Sequence, residues 1–368
     1  MPRRSSAIER LRVRLGVRSY DVVFAAGLGV LPAELRRLGL GRRAFLLTDR
    51  HVAPLHGRAA ALALRRAGLA VAGAVIPAGE GQKSLRRAGW LLDRLLDAGL
   101  DRSDTLVTLG GGVVGDLGGF VAATYLRGIA LVHLPTTLLA MVDSSIGGKV
   151  GVNLPRGKNL VGAFHQPRLV YAALGTLATL PRRELRSGLA EVIKAGMVGD
   201  RRLIAHLDAH LEEVLALEPA ALRGAVAGAA RVKARIVAAD EREAGLRALL
   251  NYGHTIGHAI EAATRYRRFL HGEAVALGMV AAARLATELG VGSRRTAELQ
   301  DCLLARAGLP LAAARLQIPA ILSKIKYDKK IHDGRVRLVL TSRVGSASVH
   351  EAPSGGGLER AIASITVG

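Results

Sequence analysis

Residues 105–120 read TLVTLGGGVVGDLGGF, a short apolar run that passes directly into a turn rich in glycine. The run 105–109 has the length and composition of a buried strand. Gly110, Gly112 and Gly115 match G-x-G-x-x-G, a pattern in which glycines let the backbone approach a pyrophosphate and the next helix points its N–H groups at it. The stretch therefore predicts a strand–turn–helix nucleotide site within an α/β domain.

This glycine turn departs from the usual dinucleotide fingerprint. It follows 109 residues of chain, whereas the usual fingerprint opens its domain. An acidic residue is expected about 20 positions downstream to bind the ribose, but the apolar residues 130–132 lie there. Asp49, at the end of the earlier predicted strand 44–48, is the better candidate for the ribose hydroxyls. An ordinary structural turn remains the alternative.

The elements on either side of this turn define two domains. Upstream, apolar spacing predicts strands and helices in alternation at 44–48, 59–67, 69–76 and 84–98. After residue 181 nearly every apolar pattern is helical, at 183–197, 203–217, 219–239, 253–263 and 273–289, with a late strand pair at 335–350. We predict an α/β N-terminal nucleotide-binding domain, a parallel sheet with flanking helices, over residues 1–180. Residues 181–368 are predicted to form a mostly α-helical C-terminal domain that binds metal and substrate.

Composition narrows the class of protein. Half of the residues are hydrophobic but only 3% are aromatic, so the core must consist mainly of Ala, Val, Leu and Ile. No apolar run is long enough to predict a membrane span, and the first residues do not read as a secretory signal. The only cysteine, Cys302, excludes an internal disulfide and fits a reducing compartment. We therefore expect a cytoplasmic protein.

The net charge of +22 first suggests a nucleic-acid partner. The arginines are spread along the whole chain, however, and aromatic side chains for base stacking are scarce. We therefore expect no nucleic acid and no membrane among its partners. Only nine of the 52 basic residues are lysine. Because arginine serves here wherever a generic positive charge is enough, a lysine can mark a site that needs a compact ammonium group.

The segment 124–166 is dense in Gly, Thr, Ser, Asn and single charges. We expect that it cannot form a simple core element and that its polar groups contact a ligand with hydroxyls and anionic groups. The expected contacts are Arg127, Lys149 and Lys158 for a carboxylate or phosphate, and Asp143 and Asn159 for hydroxyls. An ordered loop whose own backbone satisfies these groups is the alternative.

A metal site is predicted in the second domain. His254 and His258 are four residues apart, so they lie on one face of a helix. A metalloprotease would carry Glu between them, in the order H-E-x-x-H, but Thr255 stands there. His271 and Glu191 add a third histidine and a carboxylate, and one Glu plus two His with an open position suits catalytic zinc. Histidines that only pack between helices are the alternative.

Several long blocks of the sequence resemble the 3-dehydroquinate synthase family, within the sugar-phosphate cyclases. The blocks run from about residue 49 to residue 330 and include GGGVVGDLGGF, LPTTLLAMVDSSIGGKVGVNLPRGKNLVGAF, SGLAEVIKAG, NYGHTIGHAIE and LHGEAVALGM. The resemblance implies an enzyme of the shikimate pathway, a carbon–oxygen lyase that converts 3-deoxy-D-arabino-heptulosonate 7-phosphate to 3-dehydroquinate and phosphate. The implied steps are a transient oxidation by NAD, elimination of phosphate, reduction and aldol closure of the ring. A homodimer is also implied.

The resemblance assigns site residues by position. The implied metal ligands, for zinc or in its place cobalt, are Glu191, His254 and His271. The implied catalytic polar groups are Lys149, Lys194, Lys233, Arg247, Asn251 and His258, and the implied substrate contacts are Arg127, Asp143, Asn159 and one of Lys329 and Lys330. The implied NAD contacts are Asp49, Glu80, Lys83, Gly111, Gly112, Asp116, Thr136, Thr137, Lys158, Thr179 and Leu180.

Two alternatives stay open at this point. A relative that cyclises the amino analogue of the same phosphorylated sugar acid shares the scaffold, whereas relatives whose substrates lack the carboxylate are expected to alter Lys233, Arg247 and Asn251. A metal-dependent polyol dehydrogenase resembles the same two-domain plan. Departures from the family pattern at His165 and Ala195 remove none of the named polar groups.

Overall fold

The structure, a computed structural model, describes residues 8–326, 331–332, 335–353 and 356–367. The chain divides into two compact units, Met1–Leu180 and Pro181–Gly368. No helix in the described ranges is both long enough and apolar enough to span a membrane.

The first unit is built on a mostly parallel sheet. Its strands are β1 (Glu9–Val13), β2 (Tyr20–Ala25), β3 (Arg43–Asp49), β4 (Ala70–Ile76), β5 (Thr105–Gly110), β6 (Ala130–Pro135), β7 (Lys149–Leu154), β8 (Gly157–Phe164) and β9 (Leu169–Ala173). Seven of them form one sheet in the order β1-β2-β9-β6-β5-β3-β4, parallel except for the β1–β2 pair, and β7 and β8 form a separate antiparallel hairpin. The helices are α1 (Leu31–Arg37), α2 (Arg58–Arg66), α3 (Leu85–Asp97) and α4 (Gly112–Thr124).

Both faces of the central strands β3, β5, β6 and β9 are buried, as a parallel sheet with crossover helices requires. Along β3, Leu46 belongs to the apolar cluster that contains Leu64 of α2, while Phe45 and Leu47 belong to the cluster that contains Leu117 of α4. Because side chains alternate across a strand, one short apolar run supplies both layers. This alternation confirms the predicted α/β class.

The order of the strands defines where a ligand is expected. The chain passes from β3 outward to β4, and then returns across β3 to β5 and continues in the other direction. Thr48 pairs with Leu109, so the carboxyl ends of β3 and β5, at Asp49 and Gly110, lie side by side. Open α/β sheets bind ligands at such a reversal of strand order.

The expectation for residues 124–166 is wrong over Ala130–Pro135. These residues form β6, which lies between β5 and β9 and is almost entirely buried. The single polar side chain in its middle is His133, whose Nδ1 lies 2.7 Å from the hydroxyl of Thr108 on β5. Burial lowers the pKa of His133 to about 4, so a neutral imidazole is accommodated in the core.

The second unit is mostly helical. Its helices are α5 (Arg182–Gly199), α6 (Arg201–Leu215), α7 (Pro219–Ala239), α8 (His254–Ala263), α9 (His271–Glu288), α10 (Arg294–Arg306), α11 (Ile318–Lys326) and α12 (Gly357–Ser364). Its strands are β10 (Ala313–Ala314), β11 (Ile331–His332), β12 (Arg335–Arg343), β13 (Ser346–Glu351) and β14 (Thr366–Val367). Two of the helix starts follow ordinary capping chemistry: Asp200 accepts the N–H groups of Arg202 and Leu203 before α6, and α7 begins with proline.

Candidate metal and nucleotide sites

Glycines allow three helices of the second unit to approach one another closely. A Cβ on Gly272, the second residue of α9, would lie 1.8 Å from the Ser187 carbonyl oxygen of α5. A Cβ on Gly278 of α9 would lie 2.0 Å from the carbonyl oxygen of Gly253, which precedes α8. At these points backbone packs on backbone, so side chains beside the contacts are brought within a few ångströms of one another.

The close approach of these helices brings the three predicted metal ligands together. Nε2 of His254 lies 3.4 Å from Oε1 of Glu191, and Nε2 of His271 lies 3.5 Å from the same oxygen. Ligand atoms of His254, His258 and His271 also lie within 4.8 Å of one another. Among the described residues, the carboxylate of Glu191 therefore faces a group of three imidazoles, one imidazole more than the predicted ligand set.

The donor set fits a divalent cation. Glu191 is only 2% exposed; its Oε2 pairs with the ammonium of Lys194, while its Oε1 faces two imidazoles without a hydrogen bond in the described ranges. Nδ1 of His254 donates to the Tyr252 carbonyl at 3.1 Å, so in the neutral ring Nε2 presents a lone pair to a carboxylate oxygen. An imidazole lone pair and a carboxylate oxygen repel each other at this distance unless a cation lies between them. Ligands about 2.0–2.1 Å from a tetrahedral zinc lie about 3.3 Å apart, close to the separations seen here.

Electrostatics support the same interpretation. Burial alone would raise the pKa of Glu191, but the ammonium of Lys194 and the imidazole of His271 lower it to about 2. Burial would lower the pKa of His271, but the carboxylates of Glu191 and Glu261 raise it to about 9. The negative field that favours a proton on His271 also favours a metal ion at that place.

The predicted substrate-binding cations of this unit are buried. Lys194 forms an ion pair with Glu191 one turn away on α5, and Lys233 on α7 is 9% exposed. Arg247 is 2% exposed and lies on the 3-10 segment Leu246–Asn251, which packs against α5 and α7. Buried cations are costly unless polar or charged groups compensate them; Lys194 has the carboxylate of Glu191, and Nη1 of Arg247 donates to the Glu241 carbonyl at 2.5 Å.

The loop that precedes Arg247 is held by one carboxylate. Asp240 accepts the backbone N–H groups of Ala244 and Gly245 at 2.8 Å and that of Arg247 at 2.9 Å. These hydrogen bonds, the one from Arg247 first, lower the pKa of Asp240. Asn251 donates its side-chain amide to Glu243 at 3.3 Å.

In the first unit, the glycine turn has the predicted strand–turn–helix form. Gly111 is the N-cap of α4, and Gly112 is its first residue. A Cβ on Gly111 would lie 3.0 Å from Thr137, and the N–H of Thr136 donates to the Gly110 carbonyl at 3.0 Å. The predicted cofactor residues Gly111, Gly112, Thr136 and Thr137 are therefore brought together at the carboxyl edge of the sheet.

Charged members of the predicted cofactor set flank this turn. Lys83 is 5% exposed and pairs with Asp116 on α4, where burial raises the pKa of Asp116 against the effect of the Lys83 ammonium. Glu80 accepts a hydrogen bond from the side-chain amide of Asn153 at 2.7 Å. Asp49 closes its own turn, since one carboxylate oxygen accepts the N–H groups of the two following residues 51 and 52.

The other predicted residues of the first unit lie on several segments. The hydroxyl of Thr179 donates to the Thr176 carbonyl and accepts from Nε2 of His56 at 2.8 Å. The sequence did not suggest the contact with His56. Leu180 directly follows the 3-10 segment that contains both threonines. Lys149 is the first residue of β7, and Lys158 and Asn159 lie on β8. Asp143 lies on the π-helical turn Ala140–Ser144. Arg127 has a left-handed backbone conformation with φ of 69°. Lys329 and Lys330 lie outside the described residues.

Two residues at the metal cluster were missed from the sequence. The Tyr252 carbonyl orients His254, and the carboxylate of Glu261 lies 3.4 Å from Nδ1 of His271. A main-chain acceptor has no sequence signal. Glu261 did have one, because it follows His258 by three residues and lies on the same face of α8.

Family models match most of the chain. A model described as 3-dehydroquinate synthase N-terminal matches residues 73–187, and one described as 3-dehydroquinate synthase C-terminal matches residues 188–331. A 3-dehydroquinate synthase of Symbiobacterium thermophilum is 52% identical over 341 residues, which cover 92% of this chain and 95% of that protein.

Solved structures show the same fold. A 2-epi-5-epi-valiolone synthase from Streptomyces hygroscopicus subsp. jinggangensis 5008, with NAD+ and Zn2+ bound, matches with a TM-score of 0.87 and 28% identity over 98% of this chain and 99% of that one. A 2-deoxy-scyllo-inosose synthase complexed with carbaglucose-6-phosphate, NAD+ and Co2+ matches with a TM-score of 0.86 and 27% identity, covering 96% of this chain and 98% of that one.

Proposed function

Because the chain belongs to the 3-dehydroquinate synthase family, we propose that it converts 3-deoxy-D-arabino-heptulosonate 7-phosphate to 3-dehydroquinate and phosphate. This makes it a carbon–oxygen lyase of the shikimate pathway. One structural observation carries the proposal: the buried carboxylate of Glu191 converges with imidazoles in a unit that also buries Lys194, Lys233 and Arg247. A metal site among buried cations suits a substrate with hydroxyls, a carboxylate and a phosphate.

Glu191, His254 and His271 are the proposed metal ligands, with zinc as the metal and cobalt as a substitute that the same donors accept. When bound, the metal supplies Lewis-acid polarisation of a substrate hydroxyl, and NAD+ supplies a transient hydride acceptor. His258 is proposed to stay outside the ligand set and to orient the substrate or relay a proton. Its ring centroid lies 5.1 Å from that of His254 and 5.7 Å from that of His271.

The buried cations would bind the anionic ends of the substrate. Lys194 would hold a substrate anion beside the metal, because its ammonium already lies against Glu191. Lys233, Arg247 and Asn251 would bind the carboxylate and phosphate from α7 and the 3-10 segment that follows it. Lys149, Arg127, Asp143, Asn159 and one of Lys329 and Lys330 complete the proposed substrate set.

The proposed NAD site is the carboxyl edge of β3 and β5. Gly111 and Gly112 would let the pyrophosphate approach the N–H groups at the start of α4. Asp49 would bind the ribose from the neighbouring strand end, as expected at a reversal of strand order. Glu80, Lys83, Asp116, Thr136, Thr137, Lys158, Thr179 and Leu180 are the further proposed contacts.

We also propose a cytoplasmic homodimer that acts on a small phosphorylated sugar acid and not on nucleic acid. The single cysteine supports the compartment and the scattered arginines argue against nucleic acid, while the homodimer rests on the family resemblance. Filter binding at physiological salt should retain no nucleic acid on the protein, and analytical ultracentrifugation should give twice the mass of the 38.6 kDa chain.

The test is release of inorganic phosphate from the heptulosonate phosphate, measured with and without NAD+ and with and without a metal chelator. We expect release only when NAD+ and metal are both supplied, with no lasting rise in NADH absorbance. Release from the amino analogue but not from this substrate would reject the assignment. A steady accumulation of NADH would instead indicate a metal-dependent polyol dehydrogenase.

A further inference from the structure

Glu261 is a buried carboxylate that the proposed chemistry does not use. It lies on α8 seven residues after His254 and three after His258, so the three side chains form one stripe along the helix. It is only 5% exposed. Since a buried carboxylate is costly unless its charge is compensated, its position calls for a specific partner.

His271, the first residue of α9, is one such partner. Oε2 of Glu261 lies 3.4 Å from Nδ1 of His271, and Nε2 of the same ring lies 3.5 Å from Oε1 of Glu191. The imidazole is therefore held between two carboxylates, one at each ring nitrogen. A carboxylate at Nδ1 keeps the proton on that nitrogen and turns the Nε2 lone pair toward Glu191.

The two histidine ligands proposed for the metal are oriented by different acceptors. Nδ1 of His254 donates to the neutral Tyr252 carbonyl at 3.1 Å, whereas Nδ1 of His271 faces a charged carboxylate. Both contacts select the tautomer whose Nε2 carries the lone pair that a metal would bind. Only the carboxylate also makes the ring more basic, so it strengthens His271 as a donor.

We propose that Glu261 is a positioning residue for the metal: by holding Nδ1 of His271, it orients and strengthens that ligand. The inference rests on the proposed function, because it takes His271 as a metal ligand. Glu261 itself touches neither metal nor substrate in this proposal.

The test compares Glu261→Gln and Glu261→Ala with the wild-type chain. Glutamine keeps the shape and one acceptor oxygen but removes the charge, and alanine removes both. Zn2+ affinity is measured by competition with a chelating dye, and the visible spectrum of the Co2+ form reports the ligand field. We expect about a tenfold loss of affinity for Glu261→Gln and up to about 100-fold for Glu261→Ala, with altered Co2+ bands in both.

Glu34→Gln is the matched control. Glu34 is a buried carboxylate at 6% exposure that pairs with Arg10 and Arg37 on the first unit, and its loss should leave Zn2+ affinity and Co2+ bands unchanged. If Glu261→Ala does not fold, the isosteric Glu261→Gln still decides the question. Affinity within twofold of wild type and an unchanged Co2+ spectrum in Glu261→Gln would overturn the proposal.

The metal titration needs no substrate, so it separates this inference from the proposed function. A wild-type chain that binds Zn2+ tightly, in a manner dependent on Glu261, but releases no phosphate would contradict the function alone. A chain that releases phosphate while Glu261→Gln binds Zn2+ as wild type does would contradict the positioning role alone.

Discussion

The two proposed sites are built in opposite ways. At the nucleotide edge of the first unit, the end of β5, the glycine turn and the start of α4 are encoded by one continuous stretch, residues 105–120. The metal cluster of the second unit is made of side chains from three helices, with Glu191 and His271 separated by 80 positions. A backbone site follows from local sequence, whereas a side-chain site depends on how the helices pack.

The largest effect is expected when one side chain is removed from the metal cluster, because that site depends on individual side chains. His271→Ala deletes a proposed ligand at the first turn of α9. We expect no bound zinc and phosphate release below about 1% of the wild-type rate, a loss of more than about 2.7 kcal/mol in transition-state stabilisation. Zinc content by atomic absorption and far-UV circular dichroism check the two parts. Unchanged zinc in a folded variant contradicts the ligand assignment.

The next test asks whether the helix contacts place these ligands. Gly272→Ala puts a Cβ 1.8 Å from the Ser187 carbonyl oxygen, so α5 and α9 must separate. We expect the free energy of unfolding to fall by about 3 kcal/mol, because backbone cannot move aside as a side chain end can. Zinc affinity should fall with it. Urea denaturation and a zinc titration measure both.

Gly89→Ala is the matched control for that substitution. Gly89 lies within α3, and a Cβ there would meet no atom within 4 Å. Alanine should stabilise the helix by up to about 1 kcal/mol. Equal effects of the two substitutions would show that the close approach of α5 and α9 is not what positions Glu191 and His271.

The backbone site can be tested without touching the metal. Gly111→Ala adds a Cβ 3.0 Å from Thr137 and on the side from which a pyrophosphate would approach. We expect the dissociation constant of NAD+ to rise about tenfold, or about 1.4 kcal/mol, while zinc content stays at the wild-type level. Fluorescence titration with NADH gives the constant. A parallel loss of zinc would mean that the two sites are not independent.

The sequence predicted the backbone site better than the side-chain site for a physical reason. Strand and helix periodicity predicted β3, β5 and the glycine turn at Gly110, and these elements form a large part of the edge. Spacing on one helix paired His254 with His258 but did not show what faces them. The role of Glu261 was missed because a carboxylate three residues after a histidine is ordinary on a solvated helix. Its partner His271 comes from another helix, through a tertiary contact.

One prediction about the first unit was wrong, although that unit was otherwise the better predicted of the two. Residues 124–166 looked too polar for the core, yet Ala130–Pro135 forms a central strand. Local composition averaged over the segment hid a run of six residues whose one polar member, His133, pairs with Thr108 on the next strand. A hydrogen bond between side chains on neighbouring strands is a tertiary contact, so local composition does not predict it.

The smallest expected effect concerns the loop that carries Arg247. Because backbone hydrogen bonds lower the pKa of Asp240 in the folded chain, its carboxylate stabilises the fold above the ordinary aspartate pKa of about 3.9. That stabilisation is lost as the pH falls through the lowered folded value. Asp240→Asn should therefore lower the urea midpoint at pH 7, and the difference from wild type should shrink as the pH approaches 3.

Glu298→Gln is the control for that pH series. Glu298 is an exposed carboxylate that pairs with Arg294 on α10, so its loss should change the midpoint little at any pH, by no more than about 0.5 kcal/mol. Since Asp240 orders the backbone at Arg247, Asp240→Asn should also raise the KM for the phosphorylated substrate more than it lowers kcat. A difference in urea midpoint that stays constant from pH 7 to pH 3 would mean that the amide of asparagine disturbs the loop sterically. In that case the charge of Asp240 does not organise the segment before the metal cluster.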